Sequence, residues 1–263
     1  DEFFLVFQPI LSLRSNRISG NEALLRWEHP ALGIRTPIEL ISIVEETGLI
    51  HEIGDWVIHE ACKTAASWPK DTRVAVNISP TQLRKAGLLS CVVNALTESR
   101  LPPGCLELEI TETALVDDSE SVLSNLKALR ELGVRIALDD FGTGYSSLTY
   151  LRKLSPSCVK IDGSFVRDML TNSGCASIIK SVIGLSKDLC INVVAEGIET
   201  AEQLSFLRNC NCDEGQGYFI SKPKSADELL EFMLRKGERL NGDSDVQSPV
   251  SLLQYRKANR NLS

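Results

Sequence analysis

Residues 137–148 read ALDDFGTGYSSL, and the construction of this stretch decides the fold. Ile136, Ala137 and Leu138 are apolar and predict the end of a buried strand. Asp139 and Asp140 follow at once, then Phe141, a loop with glycines at Gly142 and Gly144, and an apolar segment able to restart a helix. Neighbouring side chains on a strand point to opposite faces, so the two aspartates can serve one site only if the chain turns there. The glycines permit that turn. A strand that ends in carboxylates and opens into a glycine-hinged loop is how a barrel sheet places ligands at its C-terminal mouth.

The same rhythm extends on both sides. Upstream, Phe3–Leu11 and Ile18–Trp27 are bulky apolar runs joined by a turn at Arg14–Arg17, and so short a connection requires antiparallel pairing. A helical pattern opens at Pro37 and closes at Gly48; a second runs through Trp56, Val57, Ala61 and Ala65 to Trp68. Next come a strand at Arg73–Ser79, a helix from Pro80 carrying Leu83, Leu88, Val92 and Leu96, a strand at Leu106–Thr111 and a helix at 119–132. Downstream, Cys158–Asp162, Ile191–Gly197 and Gly217–Ser221 predict further strands, and Ala226–Leu234 a last helix. Eight strands, most followed by helical segments, predict an α/β fold. The closest match is a modified (β/α)8 TIM barrel whose first strand runs antiparallel to the others. The barrel occupies residues 1–240 as one domain, and 241–263 form a polar, loosely held tail.

Composition narrows the function. The chain has 263 residues, 43% of them hydrophobic and 24% charged, enough for a substantial core. A net charge of −7 argues against a nucleic-acid polymer as partner, which a basic face would mark. The eight cysteines form no C-x-x-C pair, and His29, His51 and His59 do not join them at zinc spacing, so they read as reduced core residues of a cytoplasmic domain. Trp56 and Trp68 also read as core. No apolar run reaches the ~18 residues of a membrane span. The opening Asp1-Glu2-Phe3 lacks an initiator methionine, which suits a piece of a longer multidomain signalling protein whose parent has room for an inner-membrane anchor.

Polar residues gather at the predicted C-terminal strand ends: Glu22, Asn77, Glu109, Asp139, Asp140, Lys160, Asp162, Glu196 and, beside the last strand, Gln216. In a barrel these ends meet at one mouth. Several buried carboxylates would repel one another, and cations resolve that. An all-oxygen donor set selects magnesium, manganese or calcium over zinc. Two such ions roughly 4 Å apart, bridged by an aspartate such as Asp139, are the usual clamp for phosphodiester hydrolysis. Lys160 would orient the attacking water and Glu196 would accept its proton. Glu107 shares its strand face with Glu109, and spacing alone does not choose between them.

These residues carry a resemblance. Glu22-Ala23-Leu24 lies within NEALLRW, and FQPI, VNIS, LELEITE, LDDFGTGYSSL, VKID, VVAEGIET and GQGYFISKP accompany it in order over about residues 3–235. The chain resembles the EAL-domain family of cyclic di-GMP phosphodiesterases. That resemblance implies hydrolysis of cyclic di-GMP to linear pGpG with two Mg2+ or Mn2+ ions per site and inhibition by Ca2+. It implies one ion on Glu22, Asn77, Glu109 and Asp139, and the other on Asp139 with Asp140. Catalysis would fall to Glu22, Lys160 and Glu196. Gln8, Leu25, Arg26, Asp162, Gln216 and Tyr218 would meet substrate or support it, and Glu199 would lie near the metal. Glu112 would tether the loop containing Phe141, Gly142 and Gly144. A homodimer through the barrel and GGDEF, PAS or other sensor domains in the parent are further expectations. The alternative is a catalytically silent cyclic di-GMP receptor, since family members also act as signalling modules. Departures from the family pattern are Phe7 before Gln8, Gly163 after KID and Glu214 ahead of GQGY.

Overall fold

The computed structural model describes residues 2–31, 33–36, 44, 48–84, 87–115, 120–143, 151 and 154–241. Most of the helix expected at Pro37–Gly48, and the loop from Gly144 onward, lie outside the described residues.

The chain begins with the expected hairpin. β1 (Phe3–Ser12) pairs antiparallel with β2 (Ile18–His29), placing Gln8 opposite Glu22. A short β3 (Gly33–Arg35) folds back on the far end of β2. Then come β4 (Arg73–Asn77), β5 (Leu106–Thr111), β6 (Arg135–Phe141), β7 (Cys158–Ile161), β8 (Asn192–Ala195) and β9 (Glu214–Gly215). From β2 through β4 to β9 each strand is parallel to the next. β1 pairs antiparallel with both β2 and β9 and closes an eight-stranded barrel, with β3 as an appendage.

The helices form the outer layer: α1 (Ile50–Ala65), α2 (Pro80–Arg84), α3 (Leu88–Ser99), α4 (Glu120–Glu131), α5 (Gly163–Asp168), α6 (Ser173–Asp188), α7 (Ala201–Asn209) and α8 (Ala226–Asn241). Helical spacing explains their inward faces: on α1, Val57, Ile58, Ala61, Cys62 and Ala65 are buried. They pack on strand residues of the opposite parity to the site, such as Leu106, Leu108 and Ile110 of β5. Thr200 and Gln203 form a reciprocal cap at the start of α7, which satisfies amides left open at a helix N-terminus.

Four expectations need correction. The helix from Pro80 is two helices, broken before Gly87, whose φ of +122° is outside helical space. The last strand is Glu214–Gly215; residues 217–221 instead make a turn in which the Ser221 amide bonds the Gly217 carbonyl. The final helix continues through Gly237 to Asn241. The core reading of cysteines and tryptophans holds for Cys62, Cys158, Cys212 and Trp68, but Cys190 is exposed and Trp56 is 38% exposed.

Inside the barrel the side chains stack in layers. At the N-terminal end, Arg73 forks onto Glu214 at 2.6 and 3.2 Å, and Glu107 accepts from Arg135 at 2.9 Å. Above lie Ile10, Ala137, Cys158 and Val194, a small apolar plug separate from the main core. The upper layer is charged, and it is the site.

Candidate active site

Inward-facing residues of successive strands meet at the mouth. β2 gives Glu22, β4 gives Asn77, β5 gives Glu109, β6 gives Asp139 and β7 gives Lys160, while Glu196 follows β8 and Gln216 follows β9. The structure brings all of them together. Lys160, 1% exposed, is the hub: its Nζ lies 2.7 Å from Glu196 Oε1, 2.8 Å from Glu109 Oε2, 3.5 Å from Glu22 Oε2 and 3.6 Å from Asp139 Oδ1.

Glu22 is held by both oxygens. Asn77 Nδ2 donates to its Oε1 at 2.8 Å and Gln216 Nε2 to its Oε2 at 2.6 Å. The Gln216 amide also reaches Gln8 Oε1 at 3.3 Å, and Gln8 Nε2 donates to the Ser221 carbonyl at 3.3 Å. Gln8 therefore sits in a relay that fixes Glu22.

Asp139 and Asp140 both reach the site because the chain turns at Asp140 itself. Its φ of +54° lies in the left-handed region, which an aspartate tolerates better than most residues. The β6–β7 register shifts between Leu138 and Phe141, and the Asp140 amide donates to Asp139 Oδ1 at 2.9 Å. The turn begins at Asp140, and Gly142, at φ +98°, continues it as the sequence reading expected. Phe141 belongs to the core, 6% exposed, and anchors the strand end rather than the loop. Oxygens of Asp139, Asp140 and Glu196 come within 4.8 Å of one another.

Burial and crowding set the charges. For Glu22, burial opposes ionisation, but Lys160 and the amides of Gln216 and Asn77 outweigh it and hold its pKa below the usual value. Burial pushes Glu109 well up, with Glu22 and Asp139 adding to the rise against Lys160. Burial likewise raises Asp140, helped by Asp139, Asp162 and Glu112, and raises Glu196 to about 8, with repulsion from Asp139 and Glu22. Lys160 is pushed well up because its four carboxylate neighbours overcome the cost of burying it.

Four carboxylates (Glu22, Glu109, Asp139 and Glu196) thus surround one ammonium, a fifth, Asp140, stands beside Asp139 and Glu196, and the buried Glu109 Oε1 has no hydrogen-bond partner. An orphaned buried acceptor and an excess of negative charge fit a hard divalent cation, for which these oxygens are suitable donors.

Other expected residues stand at different distances from this centre. The cleft, about 410 Å3, is lined by Gln8, Glu22, Asp139, Glu196, Gln216, Tyr218 and Glu199. Arg26 lies at the rim, half-buried, near Tyr218 and the Glu22 carboxylate, and donates to the Leu25 carbonyl at 2.7 Å. The Leu25 side chain packs against the outer apolar core, so only its backbone faces this region. Asp162 caps α5, accepting from the Ser164 amide at 3.1 Å and from its hydroxyl. Glu112 opens a short 3-10 turn after β5. Gly144 and the contact expected between Glu112 and the following loop lie outside the described residues.

Two cleft residues escaped the sequence reading, Gly197 and Gly217. A Cβ on Gly217 would lie 2.2 Å from the Ile198 backbone, and Gly197 combines φ +67° with a 3.0 Å approach to Gly163. The signal was present as a glycine directly after Glu196 and Gln216, but only the packing reveals its reason.

Residues 1–223 match the family described as the EAL domain. The chain belongs to the EAL domain family. This EAL domain is 46% identical over 229 residues to an uncharacterized signaling protein of Caulobacter vibrioides, covering 87% of the chain and 28% of the relative. It is 41% identical over 236 residues to the cyclic di-GMP phosphodiesterase PA2567 of Pseudomonas aeruginosa, covering 89% of the chain and 40% of that protein. Among solved structures, a PaMucR phosphodiesterase–c-di-GMP complex superposes with a TM-score of 0.84 at 41% identity, covering 87% of this chain and 94% of that one. The EAL domain spans 28–40% of the length of these curated relatives.

Proposed function

We propose that this EAL domain is a metal-dependent phosphodiesterase that hydrolyses cyclic di-GMP to linear pGpG. The observation that carries the reading is the convergence of four carboxylates on Lys160, with Asp140 beside them and Glu109 Oε1 buried and unpartnered. Relatives named as cyclic di-GMP phosphodiesterases and a similar fold solved with c-di-GMP support the choice of substrate.

Glu22, Asn77, Glu109 and Asp139 would hold one magnesium or manganese ion, and Asp139 with Asp140 the second. Bound there, the ions would offset phosphate charge and acidify water for attack. Asn77 and Gln216 hold the two oxygens of Glu22 in one orientation. Lys160 stands between Glu196 at 2.7 Å and Asp139 at 3.6 Å, where an ammonium orients the water and offsets charge growing on phosphorus. Glu196 keeps its proton up to about 8 while Asp139 and Glu22 repel its charge. Neutralising those neighbours lowers that value and leaves a carboxylate able to accept the water's proton. Arg26 and Tyr218 meet the substrate at the rim.

A homodimer, GGDEF or PAS domains in the parent chain and a cytoplasmic setting belong to the same proposal. A Pseudomonas aeruginosa relative named as a bifunctional diguanylate cyclase/cyclic di-GMP phosphodiesterase supports a multidomain parent. The test is incubation with cyclic di-GMP and magnesium, then manganese, with products separated by chromatography. Appearance of pGpG that chelator abolishes supports the reading. Binding without product in either metal assigns a receptor instead, and neither binding nor product removes the substrate assignment.

A further inference from the structure

Between Glu196 and α7 the chain runs outside any helix or strand, and one side chain from the helix holds it. Gln203 lies in the first turn of α7 and is 4% exposed. Its Oε1 accepts from two successive loop amides, Glu199 at 2.7 Å and Thr200 at 3.0 Å. Its Nε2 donates in the other direction, to the Val166 carbonyl of α5 at 3.3 Å. A reciprocal helix cap needs only the Thr200 amide. The bonds to Glu199 and Val166 go beyond capping.

Those extra bonds join two neighbouring walls of the mouth. α5 follows β7, the strand of Lys160, and is capped by Asp162. The same two walls meet where the Glu196 amide bonds the Ile161 carbonyl at 3.1 Å, and where a Cβ on Gly197 would lie 3.0 Å from Gly163. Gln203 adds a tie farther along the loop. Glu196 Oε1 stands 2.7 Å from Lys160 Nζ, so any slip between the walls alters that contact. A related cap follows Asn77: Gln82 Oε1 accepts from the Ser79 amide at 3.0 Å, and Ser79 Oγ from the Gln82 amide at 3.2 Å. There the glutamine Nε2 packs on Gly54 without a hydrogen-bond partner, whereas Gln203 spends its own on the next wall.

We infer that Gln203 is a positioning residue for the hydrolytic step: it fixes the loop 197–200 against α5 and thereby sets Glu196 against Lys160. A side-chain amide suits the task because it accepts and donates at once without adding charge to an acidic mouth. An apolar replacement leaves two loop amides and a carbonyl without this partner. The inference rests on the proposed function and deepens it, since Gln203 acts through Glu196 and touches no substrate.

Steady-state hydrolysis of cyclic di-GMP with magnesium tests it in Gln203→Met, Gln203→Glu and Thr200→Ala, with kcat expressed per folded molecule. Misplacement of a reacting group predicts about a tenfold fall in kcat for Gln203→Met, with a smaller change in KM. Gln203→Glu keeps the acceptor for both loop amides and should restore kcat to within about threefold of the parent. Thr200→Ala removes the cap hydroxyl and should lower the melting temperature while leaving kcat unchanged. If Gln203→Met does not fold, Gln203→Asn, one methylene too short to reach the loop, takes its place with the same expected fall. An unchanged kcat in the Met or Asn variant, a Gln203→Glu variant as slow as they are, or an equal fall in Thr200→Ala overturns the positioning role and leaves the hydrolase intact. A wild-type domain that does not cleave cyclic di-GMP overturns the functional reading and this inference together.

Discussion

The two ends of the barrel interior are built from the same residue types and do opposite things. At the N-terminal end, Arg73 and Arg135 match Glu107 and Glu214 one for one, with a bidentate Arg73–Glu214 fork and short contacts throughout. At the C-terminal end, four carboxylates share Lys160 and a fifth, Asp140, stands beside two of them. The strands are common to both: β5 supplies Glu107 below and Glu109 above, β4 supplies Arg73 and Asn77, β6 supplies Arg135 and Asp139. The lower end is compensated; the upper end, among the described residues, holds more carboxylates than cations. Buried charges contribute chemistry where they are not balanced.

The sharpest way to break this comparison is to remove one acid from the upper end. Asp139→Ala removes the proposed shared ligand and should lower turnover by about a thousandfold or more, the scale of losing a principal electrostatic element. Because it also relieves repulsion, the metal-free variant should melt no lower than the parent by calorimetry. Glu196→Gln tests the proton acceptor and should cost about a hundredfold in kcat, with cyclic di-GMP binding still measurable by calorimetry. Full activity there would remove the general-base role and leave the metal site standing. At the lower end, Arg73→Ala strands the buried Glu214, while Glu107 keeps Arg135, and should cost about 3 kcal/mol in denaturant unfolding. Activity per folded molecule should be retained.

The smallest expected effect is on pH. In the metal-free domain the Glu196 pKa rises from 4.5 to about 8. A raised folded value means the folded state holds the proton more tightly, so this stabilisation is complete below pH 4.5 and disappears as pH climbs through 8. The metal-free melting temperature should fall as pH rises from 5 to 8, and added magnesium should flatten the slope.

Much of this was legible in the residues. Alternating strand and helix patterns revealed the barrel, and the short Arg14–Arg17 turn required the antiparallel first strand. Lys160, flanked by Val159 and Ile161, had to face a polar interior or solvent, and it faces the polar interior. Other features depend on contacts far apart in sequence. Glu107 and Glu109 have the same face and neighbours of the same type; what separates them is height in the barrel, which places one beside Arg73 and Arg135 and the other beside Lys160. Glu214, a departure from the family pattern, is explained by Arg73, 141 residues away. Residues 217–221 look strand-like in composition, yet Gly217 is pinned against Ile198 and the chain coils instead. Asp140 took the left-handed turn that its glycine neighbours seemed placed to provide.

The most direct measurement of the central claim is a manganese titration of the domain, with and without cyclic di-GMP, followed by calorimetry. The account predicts saturable binding of two ions per domain in the presence of the ligand, lost in Asp139→Ala although its circular dichroism is unchanged. Absence of saturable binding at millimolar manganese, or equal binding by that variant, would contradict it.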